Sequence, residues 1–382
     1  MSELILSNAR LVLGGEIVEG HLVIRHGRIA ALGQGPAGTA GALDCEGDLL
    51  APGLIELHTD NLERHIAPRP GVDWPHHAAV MAHDAELAGC GITTVFDAVR
   101  VGTLSYPGRD TGYRDYARGL CDEIRAMDDL GALKISHFLH LRAEIPTQTL
   151  LEELGRFGPA DGVRLMSLMD HTPGQRQFAD PAKFEVWTKK YMGLDAAEFD
   201  RYCRFLADLR AEIAPSNLAG ALRVAGDLGA VLASHDDTTP AHVAESAAAG
   251  VRVAEFPTTM AAAEACGDHG IAVMMGAPNL IRGGSHSGNV AAMDLAAADR
   301  LDILSSDYVP AALLHGAVML GRAWDDMARG LATVTAAPAR ALGLADRGRL
   351  AEGLRGDVLR FRVTDAGIPM IRGVWSGGRQ VA

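Results

Sequence analysis

The sequence predicts an α/β fold, a (β/α)8 TIM-like barrel carrying a small β-sandwich built from both termini. Three observations predict it. Eight short apolar runs alternate with Ala-rich stretches of helical spacing through the middle of the chain. Polar residues capable of chemistry stand where several of those runs stop, which is where a parallel barrel gathers its functional groups. Both ends of the chain instead read as short strands punctuated by turn residues, so the two are expected to pair into one satellite unit. An open, doubly wound sheet is the competing arrangement of the same strands.

The first segment, residues 1–51, contains LILSNARLVL, GGEIV and HLVIRHGRIAAL, with Gly27 marking a hairpin. Residues 52–345 form the expected barrel. Its strands are LIELHTD, TTVFDAV, LKISHFLHLRAE, VRLMSLMDH, AVLASHDD, VRVAEFP, IAVMMGAPN and LDILSSDY. The closing segment, 346–382, returns to β character with GDVLRFRV and IPMIRGVWSGGRQV. The longest spacer, from Thr172 to Leu228, exceeds a minimal connection and is expected to form a lid or a wall of the substrate pocket.

Composition narrows the function classes. A chain of 382 residues, 48% apolar and 22% charged, is long enough for one large domain plus a small one. The formal charge of −13 argues against a nucleic-acid or membrane-surface binder, since both need a basic face, so an anionic substrate must be met by local cations. Neither a basic-then-apolar leader nor a bilayer-length apolar run is found, which reads as cytoplasmic. Cys45, Cys90, Cys121, Cys203 and Cys266 are scattered with no CxxC pair, so reduced thiols are expected, and neither disulfides nor a thiolate zinc site.

The strand ends carry the chemistry. His58 and Asp60 are two apart on the first strand, and a period of two points both side chains the same way. The third strand ends at Glu144, the fourth at Asp170 and His171, the fifth at His235 with Asp237, and the eighth at Asp307. Imidazoles and carboxylates suit one or two divalent ions, zinc ahead of manganese. Any one of these residues alone is more often a cap or a loop residue; gathered at the ends of five strands they make a set.

LAPGLIELHTD, GITTVFDAV, SHDD, SSDY and VTAAPARALGLADRGRLAEGLRGDVL resemble the amidohydrolase superfamily, which implies a barrel of the amidohydrolase type. More closely, HTDNLERH with PRPGVDWP, LMDHTPGQRQF, ASHDD, EFPTT, GAPNLIRGGSHSGN and SSDYVP resemble the alpha-D-ribose 1-methylphosphonate 5-triphosphate diphosphatases of the carbon–phosphorus lyase pathway, over nearly the whole chain. The resemblance implies metal-dependent hydrolysis of that ribosyl triphosphate to pyrophosphate and 5-phospho-alpha-D-ribose 1-methylphosphonate. Two departures from the superfamily pattern stand out. Asp60 occupies the place of a second histidine, and no lysine stands at a strand end to form a carbamylated bridge, because Lys134 begins its strand. By analogy with members that use a glutamate, Glu144 becomes the bridge.

On this reading His58, Asp60, Glu144, His171 and His235 hold the ions, and Asp307 takes the proton of the attacking water. Arg69, Arg142, Arg176 and Arg282 are candidate phosphate ligands, because a guanidinium fork matches phosphate oxygens. Gly283, Gly284 and Gly288 give a loop that is expected to donate N–H groups to an oxyanion, with His286 beside the leaving phosphate. Glu63, His65 and Asp97 are weighed as supports of the first-strand pair against plain turn or cap roles. His140, His76, His77, His83, Met166 and Met169 are read as structural. A phosphorylated sugar is the expected partner, and the oligomeric state is open, a homo-oligomer included. The rivals are an amide or cyclic-amide hydrolase on the same scaffold and a non-catalytic assembly component that keeps the metals for stability.

Overall fold

The computed structural model describes residues 3–108, 115–178, 184–185, 188, 192–285 and 288–382. The N-terminal strands are β1 (Leu4–Leu13), β2 (Glu16–Arg25), β3 (Arg28–Gln34), β4 (Leu43–Asp44) and β5 (Leu49–Pro52). The barrel strands are β6 (Leu54–Thr59), β7 (Ile92–Val101), β8 (Ser136–Glu144), β9 (Val163–Met169), β10 (Val231–His235), β11 (Val253–Glu255), β12 (Ala272–Gly276) and β13 (Ile303–Ser305). The chain closes with β14 (Val358–Val363), β15 (Pro369–Ser376) and β16 (Arg379–Gln380).

The two ends of the chain meet in one sheet of order β16-β15-β14-β5-β1-β2-β3, with β4 on β1. The junction is the antiparallel β5–β14 pair, where Leu50 stands opposite Arg360. Leu6, Leu11, Leu22, Ile29, Leu50, Val358 and Trp375, drawn from both ends of the chain, form one buried cluster. Buried Asp48 ties the same ends together, accepting from Arg360 Nε at 2.7 Å and Arg362 Nε at 2.6 Å.

The eight central strands run parallel in chain order, as the alternation of strand and helix requires. They close through an isolated parallel bridge between Thr59 and Asp307. Below that bridge residues 333–334 fill the seam, with Ile55 N donating to Val334 O at 2.9 Å and Leu304 N to Thr333 O at 3.1 Å. Gly53 opens the first barrel strand because a Cβ there would lie 2.1 Å from Thr93 Oγ1.

The period of two layers the interior. Phe96, Leu165, Ala233, Val253, Met274 and Ile303 pack as an apolar plug with Ile55 and Leu57. Two residues further along β9, β10 and β11 stand Ser167, His235 and Glu255, and two residues beyond Phe138 on β8 stands His140, all four buried. Polar groups are thus stacked on an apolar floor, at the carboxyl end of the strands. Among its described residues the long spacer contributes the helix Ala196–Leu228, capped by Asp195 and ended by left-handed Gly229. Met166 and Met169 are fully buried packing residues. No helix among the described residues is long and apolar enough to cross a membrane.

Candidate active site

Glu255 is the centre of the polar layer. Its Oε2 lies 3.3 Å from His58 Nδ1 and 3.1 Å from His235 Nδ1, and it accepts from Ser167 Oγ at 2.8 Å. Its Oε1 lies 3.4 Å from His140 Nε2. Burial alone would raise this carboxyl; the neighbouring His140 and His58, with the hydrogen bond from His235, hold it well below the usual carboxylate range. His140 itself is a hydrogen-bonded core residue, donating from Nδ1 to Leu57 O at 3.0 Å and touching Ser167 with its other nitrogen.

Among the described residues two groups can converge on a metal ion: His58, His235 and Glu255, and His171, His235 and Asp236. Two atoms of the first group, His58 Nδ1 and Glu255 Oε1, are buried with no hydrogen-bond partner. Buried donors and acceptors are nearly always satisfied, so orphaned nitrogen and oxygen in one cluster fit a cation as the missing partner. The residues present therefore suit a divalent metal.

Three of the five expected ligands, His58, His171 and His235, fall in these groups. Asp60 is engaged elsewhere: Arg142 Nη1 donates to its Oδ1 at 2.8 Å, and although burial opposes ionisation, that guanidinium holds the carboxyl below its usual range. Glu144 binds His171, accepting from its backbone N–H at 3.0 Å and from ring Nδ1 at 2.6 Å; burial works upward, but His171 brings the carboxyl down to about 2. The carboxylate that touches both His58 and His235 is Glu255, at the end of β11. The signal for it was legible: a lone glutamate in VRVAEFP, two residues beyond inward Val253.

Asp307 sits two residues beyond β13 with a left-handed φ of 55°. Its backbone is locked to the first strand, with Asp307 N donating to His58 O at 3.1 Å and Asp60 N donating to Asp307 O at 2.9 Å. Burial raises its carboxyl, with Asp60 adding to the effect. Asp236 and Phe256, each just past its strand end, share the left-handed backbone at φ 57° and 56°. That conformation is costly for a phenylalanine, and the Phe256 ring is held between His58 at 5.0 Å and His235 at 5.5 Å.

Two cavities open over this layer. The first, about 230 Å³, is lined by His58, Asp60, Arg142, His235, Asp307 and the segment bearing Arg282 and Gly284. The second, about 170 Å³, is lined by Glu144, His171, Arg100 and an apolar wall. Arg142 and Gln177 line both, so the cavities adjoin.

Several expected phosphate ligands lie elsewhere. Arg69 is exposed on a loop and lines neither cavity. Arg176 is bound to Asp237 and donates to His235 O at 3.3 Å, bracing the fifth strand end from outside both cavities. The expectation that Gly283 and Gly284 donate to an oxyanion is corrected: Gly283 N donates to Leu280 O at 3.2 Å and Gly284 N to Asn279 O at 2.9 Å, closing the helix Ala277–Arg282. His286 lies outside the described residues. Arg282 is exposed at the rim and reaches Tyr308.

Behind the site, Asp97 accepts from His83 Nε2 at 2.9 Å and from His137 Nδ1 at 2.7 Å. His83 Nδ1 meets Asn61 at 3.1 Å, and Asn61 follows Asp60 directly. His83, read as structural, is thus part of a buried chain that backs the first strand end. His65 pairs with Glu86 at 2.8 Å, and Glu63 accepts from Tyr116.

No family model matches the chain. The chain is 43% identical to the alpha-D-ribose 1-methylphosphonate 5-triphosphate diphosphatase of Escherichia coli (strain K12), over 99% of this chain and 100% of that one. Solved structures share the fold at low identity. N-isopropylammelide isopropylaminohydrolase from Burkholderia multivorans ATCC 17616 is 18% identical with a TM-score of 0.64, covering 100% of this chain and 98% of that one. N-acetyl-D-glucosamine-6-phosphate deacetylase from Mycobacterium smegmatis is 17% identical with a TM-score of 0.65, covering 99% and 100%. Dihydropyrimidinase from Brevibacillus agri NCHU1002 is 13% identical with a TM-score of 0.63, covering 99% and 95%. On a relative of that identity covering 99% of this chain, this protein belongs to the alpha-D-ribose 1-methylphosphonate 5-triphosphate diphosphatase family.

Proposed function

We propose that the protein hydrolyses alpha-D-ribose 1-methylphosphonate 5-triphosphate to pyrophosphate and 5-phospho-alpha-D-ribose 1-methylphosphonate. The full-length likeness to the Escherichia coli diphosphatase carries the reading. The first cavity supports it, since a buried guanidinium, a rim guanidinium and an acid next to the histidine–glutamate cluster answer the needs of a phosphoanhydride.

His58, His235 and Glu255, with His171 and Asp236, would hold one or two divalent ions, zinc ahead of manganese. A divalent ion there supplies acidification of water and neutralisation of phosphate charge. Asp307, its backbone fixed against the first strand, takes the proton as water oxygen bonds to the α-phosphorus. The bond from that phosphorus to the bridging oxygen then breaks, and pyrophosphate leaves with the electron pair. Arg142, locked by Asp60 and buried, holds α-phosphate oxygens, while Arg282 faces the leaving group from the rim. Five cysteines without a disulfide suit a reducing, cytoplasmic setting.

The test is phosphorus NMR of the triphosphate incubated with purified protein, alone, with zinc or manganese, and after chelation. Metal-dependent release of pyrophosphate and the 5-monophosphate is the expected result. No phosphorus change with any metal, alongside turnover of cyclic amides, would transfer the assignment to the amide-hydrolase reading.

A further inference from the structure

In an extended chain neighbouring side chains point to opposite faces, so the residue after inward-facing His235 or Glu255 should turn away from the barrel mouth. In this barrel it does not. Asp236 follows β10 with φ 57°, and its Oδ2 lies 3.3 Å from His235 Nε2. Phe256 follows β11 with φ 56°, and its ring meets the same two histidines that Glu255 binds. A left-handed residue at each strand end thus brings a second, consecutive side chain to the site.

Aspartate enters that backbone conformation readily, whereas a bulky side chain without a polar group does so at a cost. The other non-glycine residues of positive φ among the described residues are Asn, Asp, His, Glu or Arg, so Phe256 is the one hydrocarbon side chain held there. The backbone around it is pinned. Phe256 N donates to Met274 O at 2.9 Å, and Glu255 O accepts from Asp236 N at 2.9 Å. Pro257 follows and disfavours the right-handed helical region for the residue before it. Strain of this kind persists where the surroundings over-determine it, and it gathers at functional sites.

The strain secures a ring geometry. The imidazoles of His58 and His235 stack 5.7 Å apart at 15°, and the Phe256 ring stands across both, at 78° to the first and 86° to the second. Consecutive residues of one strand end therefore grip the same pair of imidazoles, Glu255 by charge and Phe256 by contact. Phe256 lines the first cavity together with both histidines, so its ring fills space that water would otherwise take beside them. Resting on the proposed hydrolysis and its candidate metal group, we infer that Phe256 is a positioning residue: its ring fixes the planes of His58 and His235 against Glu255, the arrangement in which the three converge on one cation. Its side chain has no polar atom, so it acts through the two imidazoles.

The experiment compares the wild type with Phe256→Tyr, Phe256→Leu, Phe256→Ala and Phe256→Gly. Zinc affinity is measured by competition with a chelator, kcat and KM for the triphosphate by steady-state kinetics, and the unfolding temperature on metal-free protein. Ala and Gly are expected to weaken zinc binding roughly 10- to 100-fold, the scale on which groups that orient metal ligands act, and to lower kcat with KM nearly unmoved. Tyr, which keeps the ring, should restore both, with Leu intermediate. Metal-free Phe256→Gly should unfold at a higher temperature than Phe256→Ala, the reverse of the ordinary order, because glycine takes the left-handed backbone without strain. Unchanged zinc affinity in Ala and Gly, no zinc held by the wild type, or a raised KM with kcat and zinc affinity intact overturns the assignment, the last by making Phe256 a substrate contact. An Ala variant that outlasts the Gly variant overturns the strained geometry on which it stands. A wild type that binds zinc through Phe256 as described and yet releases no pyrophosphate removes the functional reading and leaves the positioning role in place.

Discussion

At the scale of single residues, the site separates groups that hold from groups that react. Asp307 is lodged by its own backbone against His58 and Asp60, so its carboxylate reaches the first cavity without depending on a side-chain hydrogen bond for its place. Asp307→Asn should therefore leave the fold and metal content intact while lowering kcat by roughly 100-fold or more, the usual scale for removing a general base. Steady-state kinetics with metal analysis checks this, and turnover unchanged under saturating metal would remove Asp307 from the proton transfer. His137 makes a second residue-level prediction. Burial works to lower its pKa, yet Asp97 and Asp84 overcome that and raise it to about 10. A histidine raised from 6.5 stabilises the fold fully below that pH and loses the contribution as pH climbs toward 10. The unfolding temperature should fall across that alkaline window, and His137→Gln should start lower and flatten the fall. An identical slope in both proteins would show that another group titrates there.

At the scale of elements, the seam between β6 and β13 is the construction on which the site depends. The chain beyond β13 meets β6 at one bridge, Thr59 to Asp307, and the side chain of Glu56 ties the two strand ends together, accepting from His58 N at 2.7 Å and Ser306 N at 2.6 Å. Burial pushes that carboxyl up to about 8 against the pull of the two N–H donors. Removing it strands two buried donors, so Glu56→Ala should destabilise by about 3 kcal/mol, at about 1–3 kcal/mol for each unsatisfied group. Because the donors belong to the strand ends bearing His58 and Asp307, Glu56→Gln, which retains one acceptor, should lower kcat more than it lowers stability. Chemical unfolding beside kinetics distinguishes the two effects; a Gln variant with full kcat would leave Glu56 a purely structural stitch. The long helix after the fourth strand acts differently, since Tyr202 and Leu206 turn a connection into a wall of the second cavity.

At the scale of the whole molecule, the candidate ligands come from strands distant in the chain and from the loops after them, so a bound ion would cross-link the barrel. An ion that binds only the folded state stabilises it by mass action. Chelation should lower the unfolding temperature, and zinc or manganese should restore it. His235→Ala should abolish that response, because His235 belongs to both candidate groups. A chelation-insensitive unfolding temperature, with no metal in the purified protein, would argue against a resident ion. The sheet uniting both termini adds a second closure, and its Asp48 pairs hold a loop of the first segment to the last strands.

The sequence by itself determined the barrel, its eight strands, the joining of the termini and the family, because each rests on a local period or a contiguous motif. It also placed His58, His171, His235 and Asp307 at strand ends, since a side chain that closes an apolar run faces the same end of a parallel barrel. Only the tertiary structure decided which of these groups meet. Asp60 went to Arg142, Glu144 to His171, and Arg176 to Asp237, each pairing settled by the distance between strands that are far apart in sequence. It also brought Glu255 between His58 and His235, and spent the Gly283 and Gly284 donors on a helix end. A periodic pattern fixes the direction of a side chain, whereas the partner that satisfies its charge is fixed by closure of the barrel, which brings the ends of remote strands within a few ångströms.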